Sequence, residues 1–586
     1  MPSRFRSRLL RHLGHDAYTP QTVRQLAEDL GVAKEDLDVF REAIEELAAD
    51  GQVIAGDDNL VRLPPIGREV IGLFKKNPRG FGFVIPKDAN THGDLFIPPD
   101  ATGDAMTGDT VRAAVQRARG GRSGGSGAGN RAALVGAIVE ILKRGQHEFS
   151  GELRKRGSQW LVFPDGKAMR DPVVVRDPGA KNAVEGDKVV FEILVRPEAN
   201  MLGEGVITRV LGKSGEPDVE TAAVIATYNL AGEFPEDCLE QAREAGQRYE
   251  REVEEANHKG TWPNREDLRG TYIITIDPPD AKDFDDAISL ERLTKYDGGG
   301  WKLGVHIADV AHFIPPGSAL DEEAYERGNS TYLPRHVIPM LPETLSNGIC
   351  SLQEGVARYV KSAWMEYDPD GRVRATGFSQ GVIQSAKRLT YLEAQALIDG
   401  NKEEAKKHAK TEPNYTDQLM EALRQCNLCS RAIQGRRMKQ GQIRLDLHQV
   451  ELIFDDTGRV VDAQPEDDAF THTLIEMFMV EANEAVARLF ERLKVPLLRR
   501  VHPEPIPGDM DQLREFVVVA GYKLPKNPSR EELQALLEST RGTPAARAVH
   551  FAALRSMTKA EYSPALIGHF SLASEPYAHF PSPIRG

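Results

Sequence analysis

The segment Thr275-Ile-Asp-Pro-Pro-Asp-Ala-Lys-Asp-Phe-Asp-Asp-Ala287 places five aspartates within ten residues. Two carboxylates about 5 Å apart repel each other by about 3 kcal/mol at an effective dielectric constant near 20, so such a group requires bulk water or bound cations. Oxygen ligands without His or Cys suit Mg²⁺ or Mn²⁺, and these ions typically serve phosphate chemistry. The segment therefore predicts a divalent-ion site.

The residues on both sides of this acidic segment are apolar. Residues 272–276 and 287–290 have the composition of short buried strands, which would hold the segment against a core. The alternative is a solvated acidic turn. Pro278 and Pro279 argue against that alternative, because they fix the backbone rather than loosen it.

Composition excludes several classes of protein. The 586 residues are enough for about four domains, and no apolar run approaches the ~18 residues that span a bilayer. Only four cysteines occur, so a disulfide framework is not expected and a reducing cytoplasm fits. We expect no membrane segment, and we expect the protein to be a monomer. Cys426 and Cys429 have the spacing of a zinc or redox pair, but they fall within a predicted helix, which favours a packing role. The net charge of −14 does not exclude a local basic channel for nucleic acid.

The first half of the chain predicts three small domains. Residues 1–65 have the helices and short hairpin of a winged helix-turn-helix, which would contact either nucleic acid or protein. Residues 66–116 alternate like a cold-shock-like OB domain, and residues 132–212 predict a second OB domain. A Gly- and Arg-rich linker or loop over 117–131 separates the two, and 213–262 predict a helical connector. From 263 to 586, strands mix with long helices, which indicates an α+β domain.

The first OB domain carries the residues expected to bind unpaired bases. Glycines alternate with Phe81 and Phe83, so both rings should lie on one face of a strand. Phe96 would join them as a stacking platform, with Lys75, Lys76 and Arg79 beside them for phosphates. The alternative is that the three phenylalanines belong to the core.

Seven further blocks follow the acidic segment and together carry a resemblance to a known family. They are His306-Ile-Ala-Asp-Val310, Tyr332-Leu-Pro334, Pro339-Met-Leu-Pro342, Leu345-Ser-Asn-Gly-Ile-Cys-Ser-Leu352, Arg388-Leu-Thr-Tyr391, Leu554-Arg-Ser-Met557 and His579-Phe-Pro-Ser-Pro-Ile-Arg585. With residues 276–287 they resemble, in order, the signature of the RNase II/RNase R (RNB) family of exoribonucleases. The helix-turn-helix start and the paired OB-like units favour the RNase R branch.

The resemblance implies a multidomain α+β protein: a winged helix-turn-helix, two OB-fold, cold-shock-like β-barrels and an α+β RNB catalytic domain. It further implies processive 3′-to-5′ hydrolysis of RNA to nucleoside 5′-monophosphates, in RNA turnover and quality control. A two-metal mechanism would use two Mg²⁺ ions, with Mn²⁺ as a substitute. The expected partners are single-stranded RNA and RNA with 3′ overhangs.

The resemblance also assigns residue roles. Asp277, Asp283, Asp285 and Asp286 correspond to the four aspartates of the family's magnesium site, and Asp285 is expected to be essential for catalysis. Arg585 corresponds to an arginine that holds the scissile phosphate, a task suited to a planar guanidinium. Tyr332 and Tyr391 correspond to tyrosines that line the RNA channel near the 3′ end.

Four residues near these blocks stay open. Asp280 fits either a group that supports the metal ligands from behind or an N-terminal cap of the loop. His306 and His579 fit structural or phosphate-contacting roles better than zinc ligation, because no further His or Cys stands at ligand spacing. Glu476 fits either a metal-bound water or a core hydrogen bond.

Two further expectations concern the chain as a whole. The family's pattern continues past Gly586 through the rest of the catalytic domain and an S1-type OB domain, so we expect this chain to be truncated within the catalytic domain. The alternative function is a catalytically weak RNA-binding or RNA-chaperone protein that acts through its OB domains.

Overall fold

The computed structural model describes residues 3–14, 18–30, 32, 36–56, 59–77, 79–88, 90, 92–117, 134–145, 148–166, 169, 171–195, 201–447 and 449–580. The chain forms two compact units, one of residues 1–232 with 333–335 and 452–463, the other of the remaining residues. None of the helices within these described ranges is long and apolar enough to cross a membrane.

The first unit begins with a small helical segment. Its helices and strands are α1 (Ser3–Leu13), β1 (Gln21–Thr22), α2 (Val23–Asp29), α3 (Leu37–Ala49), β2 (Ile54–Ala55) and β3 (Leu60–Arg62). The strands form a sheet in the order β1-β3-β2 over a core that includes Leu26, Phe40 and Val61. Thr22 starts α2 with a capping box to Gln25. These are the elements that a winged helix-turn-helix requires, and that assignment stays an interpretation.

The first OB-like sheet follows. Its strands are β4 (Glu69–Lys76), β5 (Gly82–Pro86), β6 (Leu95–Ile97), β7 (Thr110–Arg117) and β8 (Leu134–Lys143), in the spatial order β6-β5-β4-β7-β8. Gly136 on β8 lets the two edges of the sheet approach, because a Cβ there would lie 2.4 Å from Ile97 and 2.5 Å from Leu95.

The strand β8 corrects a sequence-based boundary. The sequence predicts that the second OB domain spans 132–212, yet β8 pairs along its length with β7 of the first sheet. The pattern of β8 alone could not reveal its partner, because any half-buried strand has the same alternation.

The second OB-like unit is a closed barrel. Its strands are β9 (Glu148–Arg156), β10 (Gln159–Pro164), β11 (Val173–Val175), β12 (Asp187–Val195) and β13 (Glu204–Lys213), in the order β10-β11-β13-β12-β9. Phe149, Val162 and Phe191 fill its interior. The helix α4 (Pro217–Thr227) packs on the outside of this barrel.

The second unit is built on a mixed seven-stranded sheet. After the helix α5 (Glu236–Lys259), its elements up to residue 390 are β14 (Glu266–Asp267), β15 (Ile273–Asp277), β16 (Asp286–Leu293), β17 (Gly300–Ala308), α6 (Ala319–Arg327), β18 (Thr331–Leu333), β19 (His336–Ile338), β20 (Ala357–Tyr367), β21 (Val373–Gln384) and β22 (Lys387–Thr390). The sheet has the order β14-β21-β20-β17-β16-β15-β22. The predicted connector 213–262 therefore contributes α4 to the first unit and α5 to the second.

Helices and short strands complete the chain. They are α7 (Tyr391–Ile398), α8 (Lys402–His408), α9 (Asp417–Lys439), β23 (Val450–Phe454), β24 (Val460–Pro465), α10 (Phe470–Leu493), β25 (Arg499–Val501), α11 (Pro507–Val519), α12 (Arg530–Thr540), α13 (Ala546–Ser556) and β26 (Glu561–Ser563). Residues of α7, α9 and α10 share one core with the sheet, and residues of α5 and α6 share the core on its other face. Helices α11 to α13 form a separate small core.

The pair Cys426 and Cys429 has a packing role in this fold. Both are free, buried thiols on α9 within the core beside the sheet. Burial raises the pKa of Cys426 to about 12 and raises the pKa of Cys429 as well. Thiols held protonated in an apolar core are poor metal ligands and poor nucleophiles.

Candidate active site

The acidic loop, residues 277–286, connects the neighbouring strands β15 and β16 of the seven-stranded sheet. Asp277 is the last residue of β15 and Asp286 is the first residue of β16. Because β15 and β16 pair antiparallel, the ends of the two strands bring these carboxylates together. Every residue of β15 is buried, as the apolar sequence before the loop predicts.

Asp277 is the most constrained of the aspartates. Burial raises its pKa well above the usual range, and the charges of Asp286 and Asp285 raise it further, whereas the Arg388 guanidinium opposes them. Its Oδ2 atom is buried and accepts no hydrogen bond from the described residues. A buried carboxylate oxygen in this position favours a bound cation, because burial of a charge is costly without a counter-charge.

The other aspartates border the same loop. Asp283 accepts a hydrogen bond of 3.2 Å from the Tyr332 hydroxyl, and Asp280 is exposed. Within the part of the chain that the structure describes, no three carboxylate, imidazole or thiolate groups converge closely enough to hold an ion alone.

Tyr391 lies beside the acidic loop. It is the first residue of α7, and its neighbour Thr390 pairs with Asp277 across the parallel strands β22 and β15. Burial and the charges of Asp286, Asp277 and Asp467 raise the pKa of Tyr391. The structure thus brings both tyrosines of the sequence analysis next to the aspartates, with the Tyr332 side chain 62% exposed.

Two residues near the loop had no role in the sequence analysis. The His472 imidazole on α10 stacks on the Tyr391 ring with centroids 3.9 Å apart, and its Nε2 lies 2.9 Å from Asp467 Oδ1. The Arg388 guanidinium lies 4.5 Å from the centroid of the Phe284 ring. Arg388 stands in a block that carries the family resemblance, which was the available signal. His472 had no comparable signal, because its neighbour is 81 positions away in the sequence.

The open residues separate into different environments. His306 is fully buried, its ring nitrogens lie 2.9 Å from Ser289 Oγ and 2.8 Å from Ser362 Oγ, and burial lowers its pKa to about 3. This is a structural histidine. The His579 Nδ1 atom lies 2.7 Å from the Tyr562 hydroxyl, and Glu476 is exposed on α10.

Arg585 lies outside the described residues, which end at Phe580. The approach to it is described. The Phe580 amide donates a 2.5 Å hydrogen bond to Asn483 Oδ1, and Asn483 Nδ2 donates to the Tyr577 hydroxyl at 2.9 Å. Helix α10 therefore anchors the backbone five positions before Arg585.

A second candidate site lies on the first OB-like sheet. Phe81, Phe83 and Phe96, here called the aromatic surface, are half-buried, and their ring centroids lie 5.4 to 5.8 Å apart. The core of the sheet is formed instead by residues such as Phe74 and Val84. The rings therefore form a continuous aromatic patch on the outside, which is the arrangement that base stacking requires.

The predicted phosphate-binding cations border this patch. Exposed Lys75 pairs in register with Phe83, which pairs with Phe96, so the three side chains share one face. Arg79 is exposed and Lys76 is half-buried. The first sheet thus brings together its predicted aromatic and basic residues.

Comparisons with known proteins agree with this architecture. A model described as the RNB domain matches residues 265–586, a ribonuclease B OB domain matches 72–128, and a cold shock domain matches 161–235. The two predicted OB domains are thereby confirmed, with the cold-shock match falling on the second.

Full-length relatives extend the match. Ribonuclease R of Thermotoga maritima is 34% identical over 577 residues, which cover 97% of this chain and 76% of that protein. Ribonuclease R of Aquifex aeolicus is 32% identical over 566 residues, covering 96% and 75%. Among solved structures, Mycoplasma genitalium RNase R in complex with ribose-methylated single-stranded RNA matches 88% of this chain and 77% of that chain, with a TM-score of 0.77 and 25% identity.

Proposed function

Because the chain belongs to the RNB family of exoribonucleases, we propose that it hydrolyses RNA processively from the 3′ end, requires Mg²⁺ or Mn²⁺, and releases nucleoside 5′-monophosphates. The observation that carries this proposal is the acidic loop. Asp277 is buried with an unsatisfied oxygen beside Asp285 and Asp286, and Tyr391 lies at the same place.

Each of the four family aspartates has a place in the proposed mechanism. Asp277, Asp283, Asp285 and Asp286 would hold the divalent ions. When bound, two such ions supply an activated water and stabilise the leaving oxygen of a phosphodiester. The Tyr332 hydroxyl orients the Asp283 carboxylate through its hydrogen bond.

The aromatic residues near the loop would position the 3′ end. The His472 imidazole supports one face of the Tyr391 ring, so the other face can stack on the terminal base. The exposed Tyr332 ring offers a second stacking face. Holding the terminal nucleotide in this way places its phosphodiester against the aspartates, and good positioning is a large part of catalytic power.

In this proposal the OB-like domains bind the part of the RNA upstream of its 3′ end. The aromatic surface would stack on unpaired bases, and Lys75, Lys76 and Arg79 would contact phosphates. Arg585 would hold the scissile phosphate. The substrates would be single-stranded RNA and RNA with 3′ overhangs, and the protein would act as a cytoplasmic monomer in RNA turnover, a state that size-exclusion chromatography can check.

The direct test uses one RNA labelled at either end. With Mg²⁺, the 3′ label should appear at once as a mononucleotide, while the 5′-labelled strand should pass from full length to a short end product with few intermediates, as processive hydrolysis requires. EDTA should stop both reactions, and circular RNA should stay intact. If the protein retards the labelled RNA in a gel without shortening it, the RNA-binding alternative is right and the proposed hydrolysis is wrong.

A further inference from the structure

The acidic loop is held by groups that lie far from it in the sequence. Ser351 Oγ donates a hydrogen bond of 2.8 Å to the Lys282 carbonyl and accepts one of 3.1 Å from the Phe284 amide. The Leu352 amide donates to the Phe284 carbonyl at 2.8 Å. These bonds fix the peptide groups on both sides of Asp283. Ser351 is fully buried, so water does not replace them.

Ser351 is itself fixed by a buried arginine. Arg358 donates from Nε to the Ser351 carbonyl at 2.8 Å and from Nη2 to the Gly348 carbonyl at 3.1 Å. Gly348 lies in a π-helical turn, Thr344–Ile349, where it departs from helical geometry. Turns of this kind are frequent at functional sites. The turn therefore presents Ser351 to the loop in one orientation.

A second support holds the other half of the loop. Arg388 Nη2 donates to the Pro279 carbonyl at 3.3 Å and to the Ala281 carbonyl at 3.2 Å. Its guanidinium also covers the Phe284 ring. Serine and arginine together thus restrain the backbone of the loop from residue 279 to residue 284.

We propose that Ser351 and Arg388 are positioning residues that preset the acidic loop for divalent ions; the proposal rests on the function proposed above. Clustered carboxylates repel each other, so an unsupported loop would open and separate them. The two side chains oppose that opening through hydrogen bonds to the backbone of the loop. Residues that orient metal ligands in this manner typically contribute about 10- to 100-fold in metal affinity or activity.

The test compares Ser351→Ala with a matched control, Ser430→Ala. Ser430 is equally buried, and its hydroxyl donates to the Asn427 carbonyl at 3.0 Å within α9, away from the loop. Mn²⁺ binding to each protein is followed by electron paramagnetic resonance, and RNA binding is measured in EDTA. We expect Ser351→Ala to lose about 10- to 100-fold in Mn²⁺ affinity with unchanged RNA affinity, and Ser430→Ala to keep both.

Substitution of Arg388 provides an independent test that leaves no cavity at a fully buried position, because Arg388 is only partly buried. Arg388→Lys keeps the charge and loses the forked donor and the flat face over Phe284, so its Mn²⁺ affinity should fall between those of wild type and Arg388→Ala. The matched control is Arg327→Lys, because Arg327 covers Phe234 at 3.7 Å and donates to the Pro339 carbonyl at 3.2 Å. That control should bind Mn²⁺ like wild type.

The outcomes separate the two proposals. Weaker Mn²⁺ binding in the Ser351 and Arg388 variants alone supports the positioning role. If wild type binds Mn²⁺ and cleaves RNA while these variants bind the ion equally well, the positioning role is wrong and the function stands. If wild type neither binds the ion nor cleaves, the proposed function fails and the positioning role fails with it. If Ser351→Ala unfolds, the Mn²⁺ affinities of Arg388→Lys and Arg388→Ala, compared with that of Arg327→Lys, decide between the same outcomes.

Discussion

The acidic loop and the aromatic surface are built on opposite principles. In the loop, the buried Asp277 carboxylate lies among like charges, and Ser351 and Arg388 hold the backbone in place. On the first OB-like sheet, Phe81, Phe83 and Phe96 are half-buried and contact one another through their rings. Unfavourable electrostatics is therefore concentrated where chemistry is proposed, whereas the proposed affinity depends on apolar ring contacts.

This contrast predicts that cleavage and affinity can be changed separately. Substitutions in the loop should alter chemistry or stability with little effect on RNA binding. Substitutions on the aromatic surface should alter binding and leave the chemical step intact. Four variants test the separation and are given in order of decreasing expected effect.

Asp285→Asn should reduce cleavage by more than about 100-fold, because it removes a charge that organises the metal ions. RNA affinity should stay close to wild type, since no stacking or phosphate contact is changed. Gel assays of cleavage and filter binding on the same preparation measure both. Cleavage within about tenfold of wild type would contradict the assigned role of Asp285.

Phe81→Ala combined with Phe83→Ala should weaken binding of single-stranded RNA by about 1 to 3 kcal/mol for each lost stack. The fold should survive, because both rings lie outside the core. The matched control is Phe74→Ala, which removes a fully buried ring of the same sheet and should destabilise the protein by about 3 to 5 kcal/mol. Circular dichroism and fluorescence anisotropy distinguish the two. Unfolding of the double variant would mean that its rings are core residues.

Asp277→Asn should raise the melting temperature at neutral pH in EDTA. The folded-state pKa of Asp277 lies above its unfolded value, so the stability that this group contributes is present at low pH and is lost as pH rises through the folded pKa. Removing the charge restores that stability. The melting temperature of a large domain rises by about 2 °C for each ~1 kcal/mol gained in the free energy of unfolding. Thermal unfolding near pH 7.5 and near pH 4 tests this, with the gain expected only at the higher pH. An equal gain at both values would indicate a different cause.

Lys75→Ala should have the smallest effect. It removes one exposed cation beside the aromatic surface, so RNA binding should weaken a few-fold irrespective of sequence. The slope of log affinity against log salt concentration should decrease in magnitude by about one, which corresponds to one lost phosphate contact. Anisotropy titrations over a range of salt concentrations give the slope, and an unchanged slope would exclude a phosphate contact by Lys75.

The sequence predicted the parts of both sites that depend on local pattern. Apolar flanks indicated the buried strands around the acidic loop, and alternation with glycine placed Phe81 and Phe83 on one face. The family resemblance selected Tyr332 and Tyr391, which the structure places beside the aspartates. The proposed ion ligands and RNA contacts stay predictions.

The supports of the loop could not be predicted in this way. Ser351 contacts the loop across 67 positions and Arg388 across 109, through a π-helical turn and a parallel strand pair. A serine in a turn and an arginine on a strand occur at many positions without a functional role. Only the tertiary structure shows that both side chains hydrogen-bond to the backbone of the acidic loop. The pairing of β8 with β7 could not be predicted for the same reason, because a pattern of burial does not indicate which strand lies next to it.

In this proposal the acidic loop carries out RNA cleavage, and the aromatic surface provides affinity for RNA. The decisive measurement is single-turnover cleavage with the protein in saturating excess over RNA, combined with the dissociation constant determined on the same samples. We predict that Asp285→Asn binds RNA normally and does not cleave, while the Phe81 and Phe83 double variant binds weakly and cleaves at the wild-type rate once saturated. A double variant that is slow at saturation, or an Asp285→Asn protein that loses affinity together with cleavage, would contradict it.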